Sequence, residues 1–124
     1  MNQNRTMIII DEFAIIREAE KCLPKELKEK FISAIAELED NNNYINNQFP
    51  VTRLHKISGI DKDIYRADID KISGWRFHLQ MSNEHKKALL LKNIIEGQKH
   101  DSCMKIVKIY KNRYNTKLEK KWKK

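Results

Sequence analysis

Apolar positions recur along this chain with two different periods, and the change of period divides it into a helical first half and a strand-rich second half. Met7 to Ile10 is an uninterrupted, β-branched run that predicts a short strand buried on both faces. Asp11 then predicts the cap of a helix in which Phe13, Ile16, Ala19 and Leu23 form one face, and Pro24 closes that helix while suiting the first turn of the next. In the second helix Leu27, Phe31, Ala34, Ile35 and Leu38 line one side, opposite Lys25, Glu29, Ser33 and Glu37. The Asn-rich stretch 41–50 has no period and predicts a loop.

Beyond it the period becomes two. Tyr65, Ala67 and Ile69 alternate with Arg66, Asp68 and Asp70; Trp75, Phe77, Leu79 and Met81 alternate with Arg76, His78 and Gln80. Joining apolar face to apolar face predicts a hairpin with Lys71 opposite Trp75 and a loop Ile72-Ser73-Gly74, in which Gly74 supplies a left-handed residue. This register pairs Asp70 with Arg76, Asp68 with His78 and Arg66 with Gln80 on a polar face. Residues 86–93 wrap Ala88 to Leu91, a central strand that Ile94 and Ile95 continue, and Val51 to Ile57 adds an edge strand. The elements in order are a strand, a helical hairpin, a loop and a strand meander.

Charge changes the picture only at the C-terminus. Of 25 basic and 17 acidic residues in the 124, nine basic ones and a single acidic one, Glu119, fall in residues 105–124, so the tail carries the whole net charge of +8. Ile106, Tyr110, Tyr114, Leu118 and Trp122 recur there at steps of four, predicting one helix with an aromatic ridge among Lys108, Lys111, Arg113, Lys117 and Lys121. Such a surface suits nucleic-acid phosphates or an acidic partner. The longest apolar runs are four residues, against the roughly 20 a membrane span needs, and no signal-peptide core is present, so the chain reads as intracellular and cytoplasmic. Cys22 and Cys103 stand apart and read as buried free thiols. No glycine-rich phosphate loop, His-Glu-x-x-His pair or metal-ligand spacing is present, and neither a metal nor a cofactor is expected.

The order strand, helical hairpin, loop, strand meander, together with Cys22-Leu-Pro-Lys25, Leu54-His-Lys-Ile-Ser-Gly59, Ile64-Tyr-Arg-Ala-Asp-Ile-Asp70, Trp75-Arg-Phe-His-Leu-Gln80 and Gly97-Gln-Lys-His-Asp101, resembles the RelE/ParE toxin superfamily. The resemblance divides the chain into a RelE-like domain at 1–104 and a basic helical extension at 105–124. It implies a small α+β domain, with the N-terminal strand and helical hairpin packed on one face of a mostly antiparallel sheet, and the toxin of a type II toxin-antitoxin system: a metal-independent endoribonuclease that cleaves ribosome-associated mRNA and is silenced by a cognate antitoxin protein. A ParE-like inhibitor of a protein target such as DNA gyrase, or a non-catalytic binding protein of the same fold, is the alternative, because one fold hosts several activities.

Attack of a 2′-hydroxyl on its neighbouring phosphate needs a base, an acid and cations, and no metal. The resemblance assigns phosphate binding to Arg76 and Arg66, whose guanidinium can hold a phosphate through two parallel bonds, and proton transfer to His100. Lys56 and His78 join Lys108, Lys111, Arg113 and Lys117 as RNA-binding candidates. A cross-strand ion pair to Asp70 is the structural alternative for Arg76. Two positions depart from the family pattern, Asp101 beside His100 and Met104 near the place of a terminal tyrosine; Tyr110 fills that place only if the last helix folds back.

Overall fold

Two carboxylate oxygens start the first helix. In the computed structural model, which describes residues 7–58, 63–82, 88–97 and 103–114, Asp11 follows strand β1 (Ile8–Ile10) and accepts from the main-chain nitrogens of Ile15 (2.6 Å) and Ile16 (2.9 Å). It thereby satisfies two of the donors a helix start leaves open. Helix α1 (Ile15–Cys22) and helix α2 (Lys25–Glu39) flank Pro24 as expected. The buried stripe of α1 is Ile15, Ala19 and Leu23, with Ile16 38% exposed. Helix α1 begins four residues past Asp11, so Phe13 precedes it while still packing against the core, and Ile15 takes the place expected of Ile16 beside Ala19 and Leu23. The stripe of α2 is Leu27, Phe31, Ala34 and Leu38, with Ile35 packed beside it.

Residues 41–50 are not wholly loop. Asn41–Asn46 form helix α3. Asparagine is a poor helix former, but the Asp40 carboxylate accepts from Asn42 N (3.0 Å) and Tyr44 packs edge-to-face on Phe49 with ring centroids 4.9 Å apart. Tyr44 also donates its hydroxyl to Leu38 O (2.6 Å). Asn47, left-handed at φ 53°, stops the helix. Glu37 then ties down the return by accepting from Val51 N and Thr52 N.

The sheet runs in the order β1-β5-β4-β3-β2, with β2 (His55–Lys56), β3 (Ile64–Asp68), β4 (Arg76–Met81) and β5 (Ala88–Ile95). β1 pairs in parallel with β5, and the remaining pairs are antiparallel. β1 is therefore an edge strand, with Ile8 54% exposed rather than buried on both faces. The expected edge strand at 51–57 narrows to two residues. The hairpin register is two residues from the expected one: Arg66 lies opposite His78 and Asp68 opposite Arg76. The loop is longer because Asp70 organises it, accepting at its carboxylate from Ser73 N (2.9 Å) and at its carbonyl from Gly74 N (2.9 Å). Gly74 has φ 83°, as the turn requires.

One face of the sheet packs on α1 and α2 through Ala67, Ile69, Phe77, Leu79, Leu89 and Leu91, with Phe31 and Phe77 edge-to-face at 5.2 Å. The other face carries a second, smaller layer. Helix α4 (Cys103–Ile109) and the single turn α5 (Lys111–Tyr114) bring Ile106, Val107 and Tyr114 against Ile64 and Ile95. The tail is thus not one helix through Tyr114: the chain breaks at Tyr110, which is 39% exposed, while Val107 and Tyr114 are buried. Leu118 and Trp122 lie outside the described residues. No helix among the described residues is long and apolar enough to cross a membrane.

Candidate functional site

Strand parity places the candidate cations. Residues paired across strands share a face, so the register builds a row His55, Arg66, His78, Asn93 across four strands. Two further rows flank it, Asp68-Arg76-Ile95 and Ile64-Gln80-Leu90. A bulge between His78 and Leu79 inserts one extra residue into β5 and returns Asn93 to this face. Arg66, Arg76 and His78 are therefore brought together. Lys56 is not, because it pairs with Tyr65 on the helix side, where its ammonium meets Asp63 at 2.8 Å and has its pKa raised by that hydrogen bond.

His78 is the centre of the row and is 2% exposed. Burial, reinforced by the charges of Arg76 and Arg66, lowers its pKa to about 4, so the imidazole is neutral at physiological pH. Its Nδ1 is 3.0 Å from the hydroxyl of Tyr114, itself wholly buried. Burial raises the Tyr114 pKa, so the phenol keeps its proton and donates it to Nδ1, which fixes the Nε2–H tautomer. Asn93 continues the chain. Oriented with its amide nitrogen toward Tyr114 Oη (2.8 Å), it accepts from Arg113 Nη1 at 2.8 Å. Arg113 also donates to Lys92 O (3.0 Å) and lies over the Tyr110 ring at 4.9 Å, so this candidate is engaged with the fold.

The acidic residues on this face are matched elsewhere. Asp70 pairs with Lys30 at 2.8 Å, not with Arg76, and the hydrogen bond from Lys30 brings its pKa down to about 2. Asp68 pairs with Arg53. Arg76 donates Nη1 to Gly74 O at 3.0 Å. Two donors on the face stay buried with no acceptor among the described residues, Arg66 Nε and Gln80 Nε2. Lys108 and Lys111 are exposed. His100 and Lys117, like Asp101, lie outside the described residues, and no three potential metal-ligating side chains converge among those described.

Sequence reasoning missed Tyr114, Asn93 and Gln80 as members of this site. Gln80 was on the polar face by parity; Asn93 required the bulge, and Tyr114 required the break at Tyr110, neither of which has a local signal. Cys22 is exposed and Cys103 half-buried, so neither is the fully buried thiol expected.

The sequence matches no model of a known protein family and no curated protein. The fold does have a solved counterpart. The chain superposes on the free state of an E. coli RelE toxin carrying a double arginine-to-alanine mutation, with a TM-score of 0.55 and 15% identity over 87% of this chain and 97% of that one. At that identity the likeness establishes a RelE-like fold.

Proposed function

We propose that this protein is the toxin of a type II toxin-antitoxin pair and cleaves ribosome-associated mRNA without a metal. The observation that supports the reading is a pair of buried donors without an acceptor among the described residues, Arg66 Nε and Gln80 Nε2, on the face that also holds Arg76 and His78. A buried donor without an acceptor costs about 1–3 kcal/mol, and phosphate oxygens would relieve that cost. Arg66 and Arg76 hold the scissile phosphate and balance the charge that builds on it. His100 takes the proton of the 2′-hydroxyl as its oxygen bonds to phosphorus; the bond to the 5′-oxygen breaks and that oxygen takes up a proton from water, leaving a 2′,3′-cyclic phosphate and a 5′-hydroxyl. His78 and Tyr114 are buried in this conformation, so RNA reaches the row when the C-terminal layer lifts. A cognate antitoxin would silence the toxin by covering this face, and Lys108, Lys111 and Lys117 would add phosphate contacts.

Induced expression in a bacterial host, with 5′-end mapping of translated mRNA, tests this. The expected outcome is growth arrest with cuts inside reading frames, both reduced about a hundred-fold in Arg66→Ala/Arg76→Ala. Arrest with intact mRNA would redirect the reading to a protein target such as gyrase.

A further inference from the structure

Beside β2, on the helix side of the sheet, the chain forms a cavity of about 440 Å3, within the range of about 300–1,000 Å3 that small ligands fill. Tyr44, Phe49 and Tyr65 supply aromatic walls. Tyr44 and Phe49 stand edge-to-face, their centroids 4.9 Å apart, and the Tyr44 hydroxyl donates to Leu38 O (2.6 Å), so the fold fixes this corner before anything binds. Two polar groups of the wall are not engaged in that way. The Tyr65 hydroxyl and the Asn47 side-chain amide make no hydrogen bond among the described residues. An aromatic cavity with a few unused donors and acceptors suits a planar ligand with a polar edge, whereas a purely apolar occupant would leave those groups without partners.

The position of the cavity narrows the ligand further. His55 borders it and is also the outer member of the row His55, Arg66, His78, Asn93 on the opposite face. β2 is an edge strand of two residues, so a single short strand separates the aromatic cavity from Arg66. Lys56, next along β2, lines the cavity as well. It pairs with Asp63 at 2.8 Å, but the two side chains are 54% and 52% exposed; an exposed pair holds weakly, and a phosphate can take over the ammonium. Cations along a path beside aromatic faces are what a single nucleic-acid strand requires, its phosphates on the former and its bases on the latter.

We propose that this cavity receives one unstacked base of the RNA, from a nucleotide adjoining the one whose phosphate lies on Arg66. The strand crosses the β2 edge, its base stacks on Tyr65 and Phe49, and the polar edge of that base meets Asn47 and the Tyr65 hydroxyl. Lys56 holds the phosphate between. The inference rests on RNA as the substrate, and it makes this cavity the place where the sequence beside the cut is selected.

Oligonucleotides of about seven 2′-O-methyl residues separate this inference from cleavage, because blocking the attacking 2′-oxygen prevents the cut and leaves every base in place. Each base in turn is replaced by an abasic residue, and binding to the full wild-type chain is followed by fluorescence anisotropy of a 5′ label. One position should stand out, weakening at least about ten-fold when its base is lost while the others change less than about two-fold. 5-Iodouridine at that position should crosslink on irradiation to Tyr44, Phe49 or Tyr65, identified by mass spectrometry. Tyr65→Leu, checked for folding by thermal unfolding, should bind the intact and the abasic strand alike. A flat abasic scan, which would leave the cavity to a side chain of a protein partner, crosslinks confined to the C-terminal residues, or an undiminished preference in folded Tyr65→Leu overturns the proposal. No binding by any oligonucleotide overturns it together with the RNA reading. Position-dependent binding beside intact mRNA in the cell upholds it and removes cleavage alone.

Discussion

At the scale of single residues the site turns on His78, a neutral imidazole held between two arginines and a buried tyrosine. Its pKa of about 4 in the folded chain against 6.5 when exposed means that between those values the unfolded chain binds a proton the folded chain excludes. Stability therefore falls as pH drops through this window, by up to about 3 kcal/mol, and this group has no effect above it. Urea unfolding at pH 7.5 and pH 4 should show that loss in the wild type and a flatter dependence in His78→Gln. Tyr114→Phe keeps the ring but removes the hydroxyl that joins Asn93 to His78. It should cost about 1–3 kcal/mol, measured as a shift of the same unfolding midpoint. Parity alone placed Arg66, Arg76 and His78 on one face. What covers that face depends on residues 36 positions further on, and no local pattern carries that information.

Among the elements, helices and strands with strong periods were legible, and their ends and offsets were not. The even parity of the hairpin came from its alternating faces, because a slip by one residue would bury Arg66 and expose Ala67. A slip by two preserves both faces, so only the loop could decide it, and there the Asp70 side chain closes five residues instead of three. The same loop meets the end of β5. A Cβ on Gly97 would stand 1.8 Å from Ser73 O, whereas one on Gly74 meets nothing nearer than 3.4 Å and suffers only its positive φ. Gly74→Ala should thus cost about 1 kcal/mol, and Gly97→Ala clearly more, because a backbone must move; thermal unfolding of the two variants side by side checks the order. α3 formed within a segment without periodicity because a cap and one aromatic pair outweigh the weak propensity of asparagine.

For the molecule as a whole, the two faces of the sheet bear unequal layers. The α1–α2 side buries a large continuous core, while the C-terminal side rests on Ile64, Ile95, Ile106, Val107 and Tyr114. The smaller layer has less apolar area to lose and should open first. In native-state hydrogen exchange the Tyr110 amide, bonded to Ile106 O, should exchange at least about ten-fold faster than the amides of Leu89 to Leu91. Equal protection of both would show that the layers open together. The concentration of charge in the tail has its own consequence. If RNA is bound, Lys108→Gln/Lys111→Gln should flatten the slope of log K against log salt by about 1.4, at roughly 0.7 per phosphate contact on a single strand, read from binding titrations at several ionic strengths.

The sequence by itself determined which residues face which way, where helix gives way to strand, and where the positive charge gathers, because periodicity, capping and composition act over a few residues. From these follow the helical hairpin, the strand hairpin after it, and the common face of Arg66, Arg76 and His78. Tertiary structure alone decided the hairpin offset, the bulge that returns Asn93 to the row, and the break that buries Tyr114 instead of Tyr110. Each of these depends on contacts between segments distant in the chain, whose energies no local pattern contains.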